Sequence, residues 1–590
     1  MNFSTKPISN GFSIFIAGWL LFFIGMPLYA QQLKPDASFR PPLNSTLYLT
    51  GTFGELRSGH LHSGIDIKTG NVVGKKVFAV DDGYISRIKV SLAGYGKALY
   101  ITHPNGYMSV YGHLQRFNDS LEKFVKGIQY KRQHFTVEIY PKKGRFTVKK
   151  GQLIAFSGDT GGADGPHLHF EIRDAKSQHP LNPLLFKAFR ITDNKPPKLV
   201  QLAIYPVGVG STINGKQDTV FYWISGKGMK CFIKGNPLIK VRGRVSFGIR
   251  AYDVMNGMIN HDGVYQIELF EDHNRIFNLI MNRISFQTTR YVNSLIDYHY
   301  FQEKGRRIVR TQVDTNNRLI EYHDVLNRGI STFNDSNVHH YEFRVKDAFG
   351  NESKVPFRIQ RDSKISKTAP RKQELGLPGG IAVNFRNVLQ IDSGRISLYF
   401  VPNSFYQSFI FHFHEKPETK QTYSPLFILH NRFVPVQKYF TLSILPNKVD
   451  DSLKSKLFIA YLNPVEADAY SYVDCHWDKD RLVGRTRELG TYTVMADTIA
   501  PEIKALNFAG SDSLKTQKSL RLSIVDHETG IKDYRPTLNG HWILMEYSVK
   551  AHELVYHFDR YLKKGWNKFQ LQVSDQVGNK RLFKASLYRK

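Results

Sequence analysis

Cysteine is nearly absent: the 590 residues contain two, Cys231 and Cys475. Such a chain has no disulfide framework and no cysteine-rich zinc site, although one bridge between the two thiols stays open. Any metal must therefore be held by His and Asp. Long apolar runs are missing after the first thirty residues, so no second membrane-spanning segment is expected. Low-complexity tracts are missing too, and helix-period patterns are scarce apart from a possible short helix near residues 120–125. Acidic residues are few against basic ones, 51 against 81, giving a formal charge of +30 and a pI near 9.7. That balance favours polyanionic partners. No helix-turn-helix, zinc-finger or RNP-type pattern accompanies it, so nucleic acid is not the expected partner. Anionic cell-envelope polymers suit an exported chain better, and the bland alternative is solubility charge spread over β-domains.

What is present begins with a thin secretory signal over residues 1–30. Lys6 precedes an uncharged apolar run over 12–26, and Leu28-Tyr29-Ala30 offers a cleavage site before Gln31. The run is shorter than the roughly 20 residues a spanning helix wants, so cleavage is expected rather than a lasting membrane anchor. The protein is expected to be exported, periplasmic or envelope-associated.

From residue 31 to about 190 short apolar strands alternate with turn signals such as Asp81-Asp82-Gly83 and Asn105-Gly106. This reads as an antiparallel β-domain. The remainder carries an internal repeat. Asp193 and Pro197 answer to Asp497 and Pro501, Asp253 and Gly257 to Asp526 and Gly530, and Asp347-x-x-Gly350-Asn351 to Asp575-x-x-Gly578-Asn579, in the same order. Two immunoglobulin-like β-sandwich modules are expected, over 193–362 with insertions and over 496–590. A β-rich middle domain over 363–495 separates them, opened by a charged linker over 367–380. The Asp-x-x-Gly-Asn ends read as turns, with calcium binding the minor alternative.

Chemistry concentrates in the first domain. His62-Ser63-Gly64-Ile65-Asp66 comes first, Tyr111-Gly112-His113-Leu114 second, and Gly165-Pro166-His167-Leu168-His169-Phe170 third. On a strand His167, His169 and Glu171 share one face and Leu168, Phe170 and Ile172 the other. His62 and Asp66 sit where Ser63-Gly64 argues for a loop leading into a strand. Two His and one Asp would hold a metal with one tetrahedral position left for water. Zinc suits this mixed N and O set better than calcium or magnesium. The spacing alone does not choose between His167 and His169 as ligand. His412-Phe413-His414 repeats the His-x-His pattern without a partner motif and reads as an ordinary strand.

The ordered set resembles the lysostaphin/LytM-type zinc metallopeptidases, bacterial cell-wall endopeptidases. The resemblance covers residues 46–187, and Ser157-Gly158-Asp159-Thr160-Gly161 is a supporting match. It implies a groove-bearing antiparallel sheet, one Zn2+ per chain on His62, Asp66 and His169, and His113 with His167 as catalytic residues beside the water. It also implies hydrolysis of peptidoglycan stem or cross-bridge peptides by metal-activated water. The alternative within the family is a non-catalytic or weakly catalytic scaffold that regulates other wall hydrolases. Residues 116–149 depart from the family's short connection. Basic and aromatic, they read as a binding loop near the cleft or a plain surface hairpin.

Overall fold

The computed structural model describes residues 38–363, 380–466, 469–509, 514 and 517–590. The expected signal segment and most of the 367–380 linker lie outside the described residues. The fold is mainly β. No described helix is long and apolar enough to cross a membrane. Cys231 is buried, Cys475 half-buried, and both are free thiols.

Seven strands form the spine of the first domain. In spatial order they are Leu49–Gly51, Ile65–Lys68, His167–Asp174, Tyr107–Gly112, Lys97–Thr102, Gly83–Val90 and Val137–Ile139, every neighbour antiparallel. Side-chain alternation explains the packing. Leu168, Phe170 and Ile172 are fully buried, and Phe170 meets the rings of Tyr111 and Phe189 at 5.5 and 5.2 Å. Each such side chain contributes about 1.5–3 kcal/mol on burial, which fixes the register against a one-residue slip. That register directs His167, His169 and Glu171 to the opposite face. A smaller sheet of Lys76–Phe78, Leu153–Ser157 and Leu114–Phe117 carries the chain away from His113.

Residues 116–149 are neither a cleft loop nor a plain hairpin. They hold a 14-residue helix, Asp119–Arg132, and two short strands, Val137–Ile139 and Thr147–Val148, that pair with Gly83–Val90. Asn118 caps the helix by accepting from the Leu121 N–H, and Gln133 ends it in the left-handed conformation. The aromatic and basic residues had suggested a substrate role. Instead, the helix docks on the last β-module. The Tyr130 ring lies 5.4 Å from both Trp542 and Tyr561, and its hydroxyl donates to Asp559. Lys97, nearly buried, pairs with Glu546 at 2.8 Å across the same contact.

Residues 198–361 form one connected sheet of eleven strands rather than two hydrogen-bonded sheets. The link is a parallel pairing of Leu238–Tyr252 with Glu352–Arg361, an interaction that turn and alternation signals do not encode. Two five-stranded sheets over 389–496 share one apolar core, and two four-stranded sheets over 502–589 share another. Where the repeated Asp residues fall, strand ends converge at one end of each module.

Candidate metal centre

Strand pairing builds the site. His169 lies opposite Asp66 on one side and Gly112 on the other, so His113 follows at the end of the adjoining strand. His113 has a φ of +56°, a left-handed turn that takes its ring out of the sheet toward His167 and His169, with ring centroids 4.7 and 5.8 Å apart. His62 comes from the preceding turn. Gly64 permits that close approach: a Cβ there would run into the Phe170 carbonyl and reach 2.8 Å from Glu171 Cγ and 3.0 Å from His169 Cε1.

Donor atoms converge. Asp66 Oδ1 is 2.9 Å from His169 Nδ1, 3.2 Å from His62 Nε2 and 3.4 Å from His167 Nε2, and the two ligand-type imidazoles are 3.1 Å apart. His62, Asp66 and His169 thus form a group able to hold a metal ion. All three are nearly buried. The donor chemistry fits zinc: two imidazole nitrogens and one carboxylate oxygen on a buried face. His113 and His167 stand beside this group.

Each imidazole is oriented by its second nitrogen. His62 Nδ1 lies 2.8 Å from the Thr52 carbonyl, His167 Nδ1 2.8 Å from the Gly165 carbonyl and His113 Nδ1 2.8 Å from the Thr160 carbonyl. A carbonyl only accepts, so each Nδ1 carries the proton and each Nε2 presents a lone pair. His169 is reversed: its Nε2 lies 2.9 Å from Glu171 Oε1, which frees Nδ1 for the centre. Glu171 is fully buried and also accepts from Ser63 Oγ at 2.7 Å, Tyr95 OH at 2.5 Å and Arg173 Nε at 2.5 Å. Such carboxylate–histidine pairs fix the tautomer and raise the basicity of a ligand.

The electrostatics follow. Burial alone would raise the Asp66 pKa, but the facing imidazoles of His62, His167 and His169 hold it well below the usual range. Burial opposes charge on His169, yet hydrogen bonds to Asp66 and Glu171 outweigh it and push the pKa up to about 9. His113 goes the other way. Burial, helped by the neighbouring His169 and His167, lowers it to about 3, so its ring is neutral near pH 7.

Comparison with known proteins bears on this geometry. Residues 60–130 and 135–183 match the model of Peptidase family M23, a span that contains all five residues above. Residues 60–183 are an M23 peptidase domain. Separately, residues 382–497 match a Zu5-like domain. The M23 region is similar to the DD-carboxypeptidase/endopeptidase Mpg of Neisseria meningitidis serogroup B strain MC58, 34% identical over 129 residues, 22% of this chain and 23% of that one. It is also similar to the murein hydrolase activator NlpD of Escherichia coli K12, 34% identical over 131 residues, 22% and 27% of the two chains. The chain thus spans about a quarter of the length of these curated relatives. The catalytic domain of lysostaphin from Staphylococcus simulans is 26% identical over 23% of this chain and 86% of that one, with a TM-score of 0.17, too low to add to the family match.

The M23 domain opens onto a cleft of about 710 Å³ that contains the five residues. Several of its working parts are invisible in the motifs. Phe286 and Thr289 belong to the next module yet line the cleft, and Thr289 Oγ1 accepts from the Leu61 N–H at 2.7 Å. Arg57 reaches Asp66 Oδ2 at 3.3 Å and Glu55 at 2.9 Å. Tyr95 stacks 5.0 Å from the His169 ring. Only Glu171 had a signal, its alternation with His169. None of residues 116–149 lines the cleft. His103 bonds the Asp82 carbonyl and Ser109 away from the centre, His60 is an exposed residue of the cleft rim, and His412 with His414 joins no metal-type group among the described residues.

Proposed function

We propose that this protein is a zinc-dependent endopeptidase that hydrolyses peptide bonds of bacterial peptidoglycan, in its stem or cross-bridge peptides. The observation that carries the reading is the convergence of His62 Nε2, Asp66 Oδ1 and His169 Nδ1, each imidazole held by a fixed acceptor on its other nitrogen. These three residues would hold one Zn2+ per chain. When bound, the ion supplies a Lewis acid for the scissile carbonyl and lowers the pKa of its water toward about 7.

The chain's own groups supply the proton handling. His113 and His167 are the catalytic residues in this reading. Each offers Nε2 to the cleft, because each Nδ1 is tied to a carbonyl. Neutral His113 takes the proton of the attacking water. That proton then passes from His113 Nε2 to the leaving amine, and the imidazolium so formed holds the developing oxyanion; His167, next to Asp66, lies against the substrate carbonyl. Burial of the centre keeps these interactions strong. The surplus of positive charge favours an anionic envelope polymer as partner, in an exported, envelope-associated location.

Metal analysis tests the ligand set. Wild-type protein should hold one zinc per chain, and His62→Ala and Asp66→Ala should lose it, because two protein ligands make a weak tetrahedral site. Stoichiometric zinc in both variants contradicts the assignment. A second reading, a scaffold that regulates other wall hydrolases, is favoured by the similarity to a murein hydrolase activator. In that case the zinc-loaded chain leaves purified wall uncut but stimulates a separate hydrolase.

A further inference from the structure

The three repeated Asp pairs fold into two triads. Asp193, Asp253 and Asp347 come together in the first β-module, and Asp497, Asp526 and Asp575 in the last, with carboxylate oxygens in each triad within 4.8 Å of one another. Asp253 and Asp347 follow directly on the strands Leu238–Tyr252 and Val338–Lys346, and Asp193 precedes Lys198–Ile213. Three strand ends therefore deliver three acids to one point.

Asn351 serves both oxygens of Asp347 as Asn579 serves Asp575, so the two triads differ in how the charge of their other two acids is met. In the last module Thr529 Oγ1 donates to Asp497 Oδ2 at 2.7 Å, the Thr529 and Gly530 N–H groups donate to Asp526 Oδ1, and Asn579 serves both oxygens of Asp575. Among the described residues no buried carboxylate oxygen of that triad lacks a partner. In the first module Asn256 stands where Thr529 stands in the repeat, and its backbone N–H, not a hydroxyl, reaches Asp193 Oδ1 at 2.8 Å. Asp193 Oδ2 and Asp253 Oδ1 are buried with no hydrogen-bond partner, and Asp253 is only 3% exposed. No Lys or Arg forms an ion pair with this triad among the described residues; Lys195 is engaged by the Met255 carbonyl.

Buried carboxylates without partners are costly unless a cation meets them. Three hard oxygen donors with no nitrogen or sulfur select calcium, which tolerates irregular geometry better than magnesium. We propose that Asp193, Asp253 and Asp347 form a calcium site, and that the sister triad is closed by hydrogen bonds and takes no cation. The site anchors the segment that runs from Asp253 to its bridge partner Asp262. That segment leads to Gly263, whose N–H donates to Thr52 Oγ1 at 2.9 Å, and the Thr52 carbonyl orients His62. Calcium thereby stiffens the support behind the M23 cleft without touching it.

Calorimetric titration of calcium chloride into the full chain tests the site. Wild type and Asp526→Asn should each bind one ion, with Kd in the range of about 10⁻⁴–10⁻³ M seen in extracellular modules. Asp253→Asn and Asp347→Asn should weaken binding at least tenfold. No binding up to about 10 mM, or binding unchanged in Asp253→Asn, or binding lost only in Asp526→Asn, overturns the proposal. Melting gives a measurement that needs no variant: at ten times Kd, calcium should raise the wild-type transition of this module by about 3–6 °C, and an unmoved transition counts against the site. In calcium-free buffer Asp253→Asn should melt no lower than wild type, since the substitution relieves like-charge crowding.

Discussion

Glu171→Gln probes the layer behind the proposed metal centre. Three donors, from His169, Ser63 and Tyr95, aim at Oε1, while Arg173 Nε aims at Oε2. A glutamine keeps one carbonyl oxygen for the first three and turns its NH2 toward the Arg173 N–H, donor against donor. Arg173 is only 5% exposed and loses its anion, and breaking one side of a buried pair typically costs about 3–5 kcal/mol. The His169 ring, no longer bound to a carboxylate, becomes a weaker donor through Nδ1. Loss of such a support typically lowers metal affinity about 10- to 100-fold, or about 1.4–2.7 kcal/mol. Competition for zinc with a chromophoric chelator measures the affinity, and urea unfolding of the metal-free protein measures the stability. A folded Glu171→Gln protein with wild-type zinc affinity would refute the role given to Glu171.

Other substitutions reach different parts of the account. His113→Ala should keep zinc but lose about 10²- to 10⁴-fold of wall cleavage in turnover assays, because a positioned proton carrier contributes that much; near-normal turnover removes His113 from the mechanism. His113 also sets a pH signature in metal-free protein. Its folded pKa of about 3 lies below its ordinary 6.5, so the unfolded chain binds more protons between these values and stability falls as pH drops through that window. His113→Gln should flatten this slope in denaturant melts, and an unchanged slope contradicts the burial argument. Gly64→Ala should disturb both the Phe170 carbonyl and the His169 ring and deplete zinc without a change in sheet content by circular dichroism. Tyr130→Ala should free the last β-module, seen as a separate calorimetric transition, while zinc content stays intact.

The centre was legible because its chemistry needs fixed spacings. His62 with Asp66, and His167 with His169, lie two to four residues apart, so local backbone rules already place them. Spacing alone does not choose between His169 and His167 as the proposed ligand; the proposal of His169 draws on tertiary convergence, with His169 Nδ1 the nearer of the two to Asp66 Oδ1. The Asp triads were half legible: the repeat marked the six residues, but only tertiary convergence shows that they meet. Residues 116–149 misled because basic and aromatic composition suits a ligand as well as a docking partner, and Trp542 and Tyr561 lie more than four hundred residues away in sequence. Phe286 and Thr289 carry no local signal at all. The parallel joint between Leu238–Tyr252 and Glu352–Arg361 was hidden for the same reason, since no local pattern records which distant strand a strand edge will meet.

Purified peptidoglycan incubated with the zinc-loaded full chain, followed by mass spectrometry of the released muropeptides, addresses the central claim most directly. The account predicts fragments with new amino and carboxyl termini from cleaved stem or cross-bridge peptides, absent with Asp66→Ala and strongly reduced with His113→Ala. Intact muropeptides from a folded protein carrying one zinc per chain would contradict it.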